Sequence, residues 1–168
     1  MASYFVSPRK NALVYLVKII TGSLMLWFGL RALGFPDPYW AMISLIIVTE
    51  PDVKIAKANF NARLINTISG SVVAGLALIV IGEGLFALLV ALTIAVLIAM
   101  LWQSYPANWR LSPATVVIVM SAASAGSGLN QELHFGLLRV EEVLAGSAVA
   151  LMQSLAYSYM LKRLTASS

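Results

Sequence analysis

The sequence has no cysteine and one histidine, His134. That excludes disulfides, thiolate nucleophiles, Cys-based zinc and iron–sulfur centres, and any His cluster, so no metal is expected. Charge is scarce too: 11% of residues are charged, against about 25% in a soluble domain. No G-x4-G-K-[ST] loop, zinc signature or nucleophile elbow occurs in the chain, which leaves ATP hydrolysis and bond-making chemistry without residues to carry them. No cofactor is expected, and an enzyme is disfavoured, because no paired Asp or Ser/Lys arrangement lies within the apolar runs. What the chain has is apolar residues, 60% of its 168 with a mean hydropathy of +0.88. Since one helix needs roughly 20 apolar residues to cross a bilayer, the composition describes a membrane protein of at most about six or seven spans.

Apolar runs broken by charge and turn residues give six expected spans, at about 11–30, 39–50, 63–82, 84–102, 112–126 and 134–161. The first follows Arg9-Lys10, contains Lys18 and outlasts the 7–15-residue core of a signal peptide. It is read as a retained helix. Pro36-Asp37-Pro38-Tyr39-Trp40 makes an aromatic-anchored turn, and the second run is short and stops at Glu50-Pro51-Asp52, where proline ends a helix. Lys54, Lys57 and Asn61 lie at helical spacing, as in an interfacial extension of the third helix. Gly82-Glu83-Gly84 is a tight turn, the fifth run is again short, and the stretch from Gly126 to Glu132 is a loop before the sixth run.

Six spans leave both termini on one side, and the excess of Lys and Arg selects it. With the termini cytoplasmic, that side collects Arg9, Lys10, Lys54, Lys57, Arg63, Arg110, Lys162 and Arg163, while the outer turns keep Arg31 and little else. These cations sit at the ends of apolar runs and form no basic stripe, so nucleic acid is not an expected partner. The lipid bilayer is.

The halves repeat. Arg63-Leu-Ile-Asn-Thr-Ile-Ser-Gly70-Ser71-Val-Val73-Ala74 and Arg139-Val-Glu-Glu-Val-Leu-Ala-Gly146-Ser147-Ala-Val149-Ala150 share R-x6-G-S-x-V-A, and each follows a Trp-led apolar run, Trp40 to Val48 and Trp109 to Val119. The fold expected is all-α and polytopic, with six transmembrane helices in two inverted three-helix repeats, about 11–82 and 84–161, within one transmembrane domain. An odd-numbered repeat must invert in the membrane, the arrangement of secondary transporters with a substrate path between repeats. Convergent packing of small residues is the competing account, and Gly70, Ala74, Gly146 and Ala150 are in either case assigned to close helix packing.

At Tyr39-Trp40-Ala41-Met-Ile-Ser-Leu-Ile-Ile-Val48, followed by Lys57, Arg63, Thr67 and Gly70, the sequence resembles the fusaric acid resistance and aromatic acid exporter family, in the same broad group as plant aluminium-activated malate transporters. Arg63, Thr67 and Gly70 match the family pattern R-l-l-G-T-l-l-G, with Asn66 in place of its internal glycine. Arg139, Glu142 and Gly146 match R-x-x-[DE]-x-x-x-G on a late helix. The resemblance covers about Asn11 to Tyr157 and implies a six-helix exporter or channel for organic anions, aromatic carboxylic acids foremost, in a bacterial inner membrane. The alternative is a non-transporting scaffold or regulatory subunit. So small a unit has little material to enclose a path, and a symmetric homo-oligomer is expected.

Ionisable residues inside a span are costly and ordinarily face a bundle interior or wet cavity. Arg63, Arg139, Glu142, Lys18, Gln153 and Asn66 are therefore the candidate anion path. Arg139, Glu142, Gly146, Val149, Gln153 and Tyr157 recur on one helical face. Arg139 and Glu142 are spaced to pair, either as part of a path or as a structural ion pair, and Arg139 is expected to be the more consequential arginine. Lys18, grouped with Gly22, Met25 and Gly29, is read as snorkelling; Glu50 and Asp52 as helix caps; His134 as interfacial.

Overall fold

A computed structural model describes residues 8–35, 38–106, 108–123 and 129–166. Among them every regular element is helical: α1 (Pro8–Ala32), α2 (Tyr39–Val48), α3 (Val53–Val80), α4 (Leu85–Leu101), α5 (Leu111–Ala123) and α6 (Leu129–Ala166). The turn at Pro36-Asp37 and the Gly126-Ser127-Gly128 part of the expected loop lie outside the described residues.

Local chemistry sets the boundaries. At the end of α1, Gly34 adopts φ +90°, Phe35 N–H reaches the Leu30 carbonyl at 3.0 Å and Gly34 N–H the Arg31 carbonyl at 3.1 Å, which is the Schellman closure that glycine permits. Pro51 separates α2 from α3, and Asp52 Oδ1 accepts from Lys54 N–H at 2.6 Å and Ile55 N–H at 3.4 Å. Asp52 is thus the expected cap. From there α3 runs unbroken through the Lys54–Asn61 extension.

Among the described residues two helices, Ala12–Ala32 and Val53–Val80, are long and apolar enough to cross a membrane. The shorter apolar helices are α2 with 10 residues, α4 with 17 and α5 with 13. At 1.5 Å per residue α2 and α5 extend only about 15 and 20 Å, less than a bilayer core of about 30 Å.

The chain forms two compact units, one of residues 1–60 and 145–168, the other of 61–144. Each combines a helix pair from one half of the sequence with part of a long helix from the other half. In the first, Leu26 and Leu30 of α1, Ala41, Leu45 and Val48 of α2, and Ala150 of α6 make the core. In the second, Val73, Ala74, Ala77 and Leu78 of α3 pack with Ala87, Ala91 and Ala95 of α4 and Val116, Val119 and Met120 of α5. The alanine stripe on α4 brings backbones close, which is how helices associate where lipid is as apolar as the core. Leu85, Phe86, Leu89, Leu97, Met100 and Leu101 on the same helix remain exposed.

Each unit contains one backbone crossing that only glycine allows. A methyl group on Gly146 of α6 would fall on the Ala41 carbonyl of α2. One on Gly70 of α3 would stand 2.5 Å from the Ser112 carbonyl of α5. The buried positions around these crossings follow matching intervals: Ala41, Ser44, Leu45, Val48 and Thr49 on α2 and its cap, against Ser112, Thr115, Val116, Val119 and Met120 on α5. The same holds for Asn66, Thr67, Gly70, Ala74 and Leu78 against Glu142, Val143, Gly146, Ala150 and Ser154.

Candidate functional site

In the unit of residues 61–144, one stretch of α3 buries three polar side chains together. Arg63 is 1% exposed, and Asn66 and Thr67 are fully enclosed. Steps of three and four residues place all three on the face that continues to Gly70, which meets α5 at Ser112 and Thr115. Asn66 Nδ2 donates to the Ala62 carbonyl one turn back at 2.6 Å. Its Oδ1, and Thr67 Oγ1, are buried without a hydrogen-bond partner. Such atoms cost about 1–3 kcal/mol each when left unmet, and in folded proteins another protein group or ordered water ordinarily meets them.

Beside this face Ser69 Oγ lies 2.6 Å from Tyr105 Oη and 3.0 Å from Ser112 Oγ. Each hydroxyl can donate and accept, so the three form a chain joining the α4–α5 connection to α3 and α5. On α6, in the same unit, Arg139 Nη1 donates to Glu142 Oε2 at 2.8 Å, with the arginine side chain 23% exposed and the glutamate 1%. The pairing expected from the i, i+3 spacing is present. The sequence places Arg139 deeper than Arg63, whereas in the structure Arg63 is the enclosed one, at 1% exposure, and the Arg139 side chain is 23% exposed.

The unit of residues 1–60 and 145–168 holds the remaining two candidates. Lys18 does not snorkel. At 4% exposure it turns inward, donating to the Glu50 carbonyl at 2.8 Å and Ser154 Oγ at 3.2 Å. The inward stripe of α1 is Lys18, Gly22, Leu26 and Leu30, whereas Met25 and Gly29, expected on that face, are exposed. Gln153 Nε2 donates to Thr21 Oγ1 at 2.9 Å, and its Oε1 has no hydrogen-bond partner.

A cavity of about 260 Å³ sits at the α3–α4 turn, lined by Leu78, Glu83, Gly84, Leu85, Leu88, Val117, Met120 and Ser121. None of the candidate path residues lines it. No group of three or more potential metal ligands occurs among the described residues, and His134 is exposed.

Sequence reasoning missed Thr67 as an orphaned hydroxyl, the Ser69–Tyr105–Ser112 chain, and Ser154 as a partner for Lys18. Thr67 and Ser154 were visible as polar residues in apolar runs, each at helical spacing from a glycine already singled out. The other contacts join residues more than 30 positions apart and leave no periodic trace.

Compared with known proteins, residues 19–153 match the family model described as fusaric acid resistance protein-like. No curated protein and no solved structure matches the chain.

Proposed function

We propose that this chain, which belongs to the fusaric acid resistance protein-like family, moves organic anions, aromatic carboxylates foremost, across a bacterial inner membrane. Membership supports membrane transport in general. The observation that carries the finer reading is Arg63, a permanently charged fork suited to carboxylates, enclosed at 1% exposure beside two unmet polar atoms, Asn66 Oδ1 and Thr67 Oγ1.

In this reading six helices associate with the bilayer as inverted three-helix repeats with both termini cytoplasmic. The matched burial intervals of α2 with α5 and of α3 with α6 support the repeat. So do the two glycine crossings, one in each unit, each joining a long helix to the short helix of the other half. The path proposed here rests on Arg63, Asn66 and Thr67, all on one face of α3 in the unit of residues 61–144.

Purified protein in proteoliposomes loaded with radiolabelled benzoate should release it with saturable kinetics, competed by other aromatic carboxylates. Release no faster than from protein-free vesicles loaded in the same way, at any benzoate concentration, would leave a scaffold or regulatory subunit as the better account. In cells, reporter fusions near Lys57 and after Arg163 should both read cytoplasm and one after Glu83 periplasm; a periplasmic signal near Lys57 sinks the six-span arrangement.

We also propose a symmetric homo-oligomer. Light scattering in detergent should give a protein mass at least twice the 18.0 kDa of the chain. A monomer there, together with no crosslinked dimer in native membranes, refutes it.

A further inference from the structure

Lys18 occupies an unusual setting for a lysine. It lies well inside α1 and is almost completely enclosed. Yet its hydrogen-bond partners are neutral oxygens, the Glu50 carbonyl at 2.8 Å and the Ser154 hydroxyl at 3.2 Å. Tyr157 adds a ring whose centroid is 5.2 Å from Nζ. Ser154 Oγ also stands 3.2 Å from the Glu50 carbonyl, in position to donate to it, so ammonium, hydroxyl and carbonyl close a triangle.

The carbonyl at its centre has a particular origin. Glu50 precedes Pro51, at the break between α2 and α3, just past the end where a helix leaves its last carbonyls unmet and carries partial negative charge. Thr49 Oγ1, one residue earlier, is buried with no hydrogen-bond partner. A carbonyl at a broken helix, a hydroxyl and an aromatic face are together the donor set by which proteins hold a monovalent cation, and broken helix ends in membrane transporters coordinate coupling ions in this way. Among the described residues the titratable groups near this place are Glu50, whose carboxylate acts electrostatically on Lys18, and Tyr157 on α6.

We propose that the Lys18 ammonium is a tethered monovalent cation: it fills a carbonyl–hydroxyl–aromatic cation site at the α2–α3 break and holds that break in shape by its charge. The site accepts a free alkylammonium when the side chain is removed. Lys18 is here a positioning residue, and the inference stands apart from what the protein transports.

The test separates charge from volume. Lys18→Met keeps the bulk without the charge and should lower the thermal unfolding midpoint by about 5 °C, in line with the loss of charge-assisted hydrogen bonds. Amide exchange over residues 48–56 should quicken about tenfold. Lys18→Ala should show the same defects, and millimolar propylammonium should reverse them while propanol, of like shape and no charge, does not. Where neither variant yields folded protein, wild-type protein carrying ¹⁵Nζ-lysine, with Lys18 assigned by its loss in Lys18→Arg, gives the reading at pH 7. An ammonium resonance protected from exchange is expected, and a neutral amine overturns the proposal. It is equally overturned if Lys18→Met matches wild type in both midpoint and exchange, or if propanol rescues Lys18→Ala as well as propylammonium does.

Discussion

Gly146→Ala should remove most of the folded protein. The added methyl group falls on the backbone carbonyl of Ala41, and a backbone obstacle has no rotamer by which to escape. α6 and α2 must separate instead, opening the core that Ala41, Leu45 and Val48 make with Ala150. Overpacking commonly costs 1–3 kcal/mol and sometimes more; with backbone on the opposing side the loss should reach about 3 kcal/mol, a large part of the stability of a domain this size. Gly70→Ala meets the Ser112 carbonyl at 2.5 Å and should behave similarly. Gly22→Ala meets only the tips of Leu45 and Gln153, and should be milder. Gly75 and Gly29 have open space where a Cβ would go, and alanine there should be neutral or gain up to about 1 kcal/mol from helix propensity. Monodisperse yield in detergent and unfolding by SDS will rank the five variants. Should Gly146→Ala prove as stable as Gly75→Ala, the close crossing of α6 and α2 is wrong.

The same two glycines show how far the sequence could be read. R-x6-G-S-x-V-A marked Gly70 and Gly146 as close-packing positions, but not what they pack against. Each long helix seats its glycine on the short helix of the other half, a pairing of residues dozens of positions apart that no periodicity encodes. The six helices were legible because Pro51, Asp52 and the glycines of the turns punctuate the apolar runs, chemistry that acts locally. Which face of a helix turns inward was much less so. In a soluble helix the polar side declares the outside, but here lipid and core are equally apolar, and Met25 and Leu26 look alike as letters while one is exposed and the other buried. Polar residues were better guides. Asn66, Arg63 and Glu142 are enclosed, as ionisable and polar groups inside apolar runs ordinarily are in membranes, whereas Lys18 was misjudged because a flexible stem permits both a snorkelling and an inward conformation.

The ranking of the two arginines yields the remaining large effect, and it reverses the order expected from sequence. If Arg63 binds the carboxylate of the transported anion, Arg63→Gln should lower the efficiency of benzoate release roughly 10- to 100-fold, the equivalent of one charge-assisted contact of about 1.5–3 kcal/mol at 1.36 kcal/mol per tenfold. Arg63→Lys should recover only part of it, since a point charge replaces a planar fork. Arg139→Gln should cost less in flux, because its guanidinium is committed to Glu142 at 2.8 Å and is the more open of the two, 23% exposed. Its effect should appear in stability, because Glu142, 1% exposed, loses a charge-assisted contact at 2.8 Å. Glu142→Gln in the Arg139→Gln background should then restore the unfolding midpoint without changing flux, which marks the pair as structural. Proteoliposome release and SDS unfolding on the same preparations separate these outcomes. Wild-type flux from folded Arg63→Gln would remove Arg63 from the path, and a larger flux defect in Arg139→Gln that the double variant does not share would return the leading role to α6.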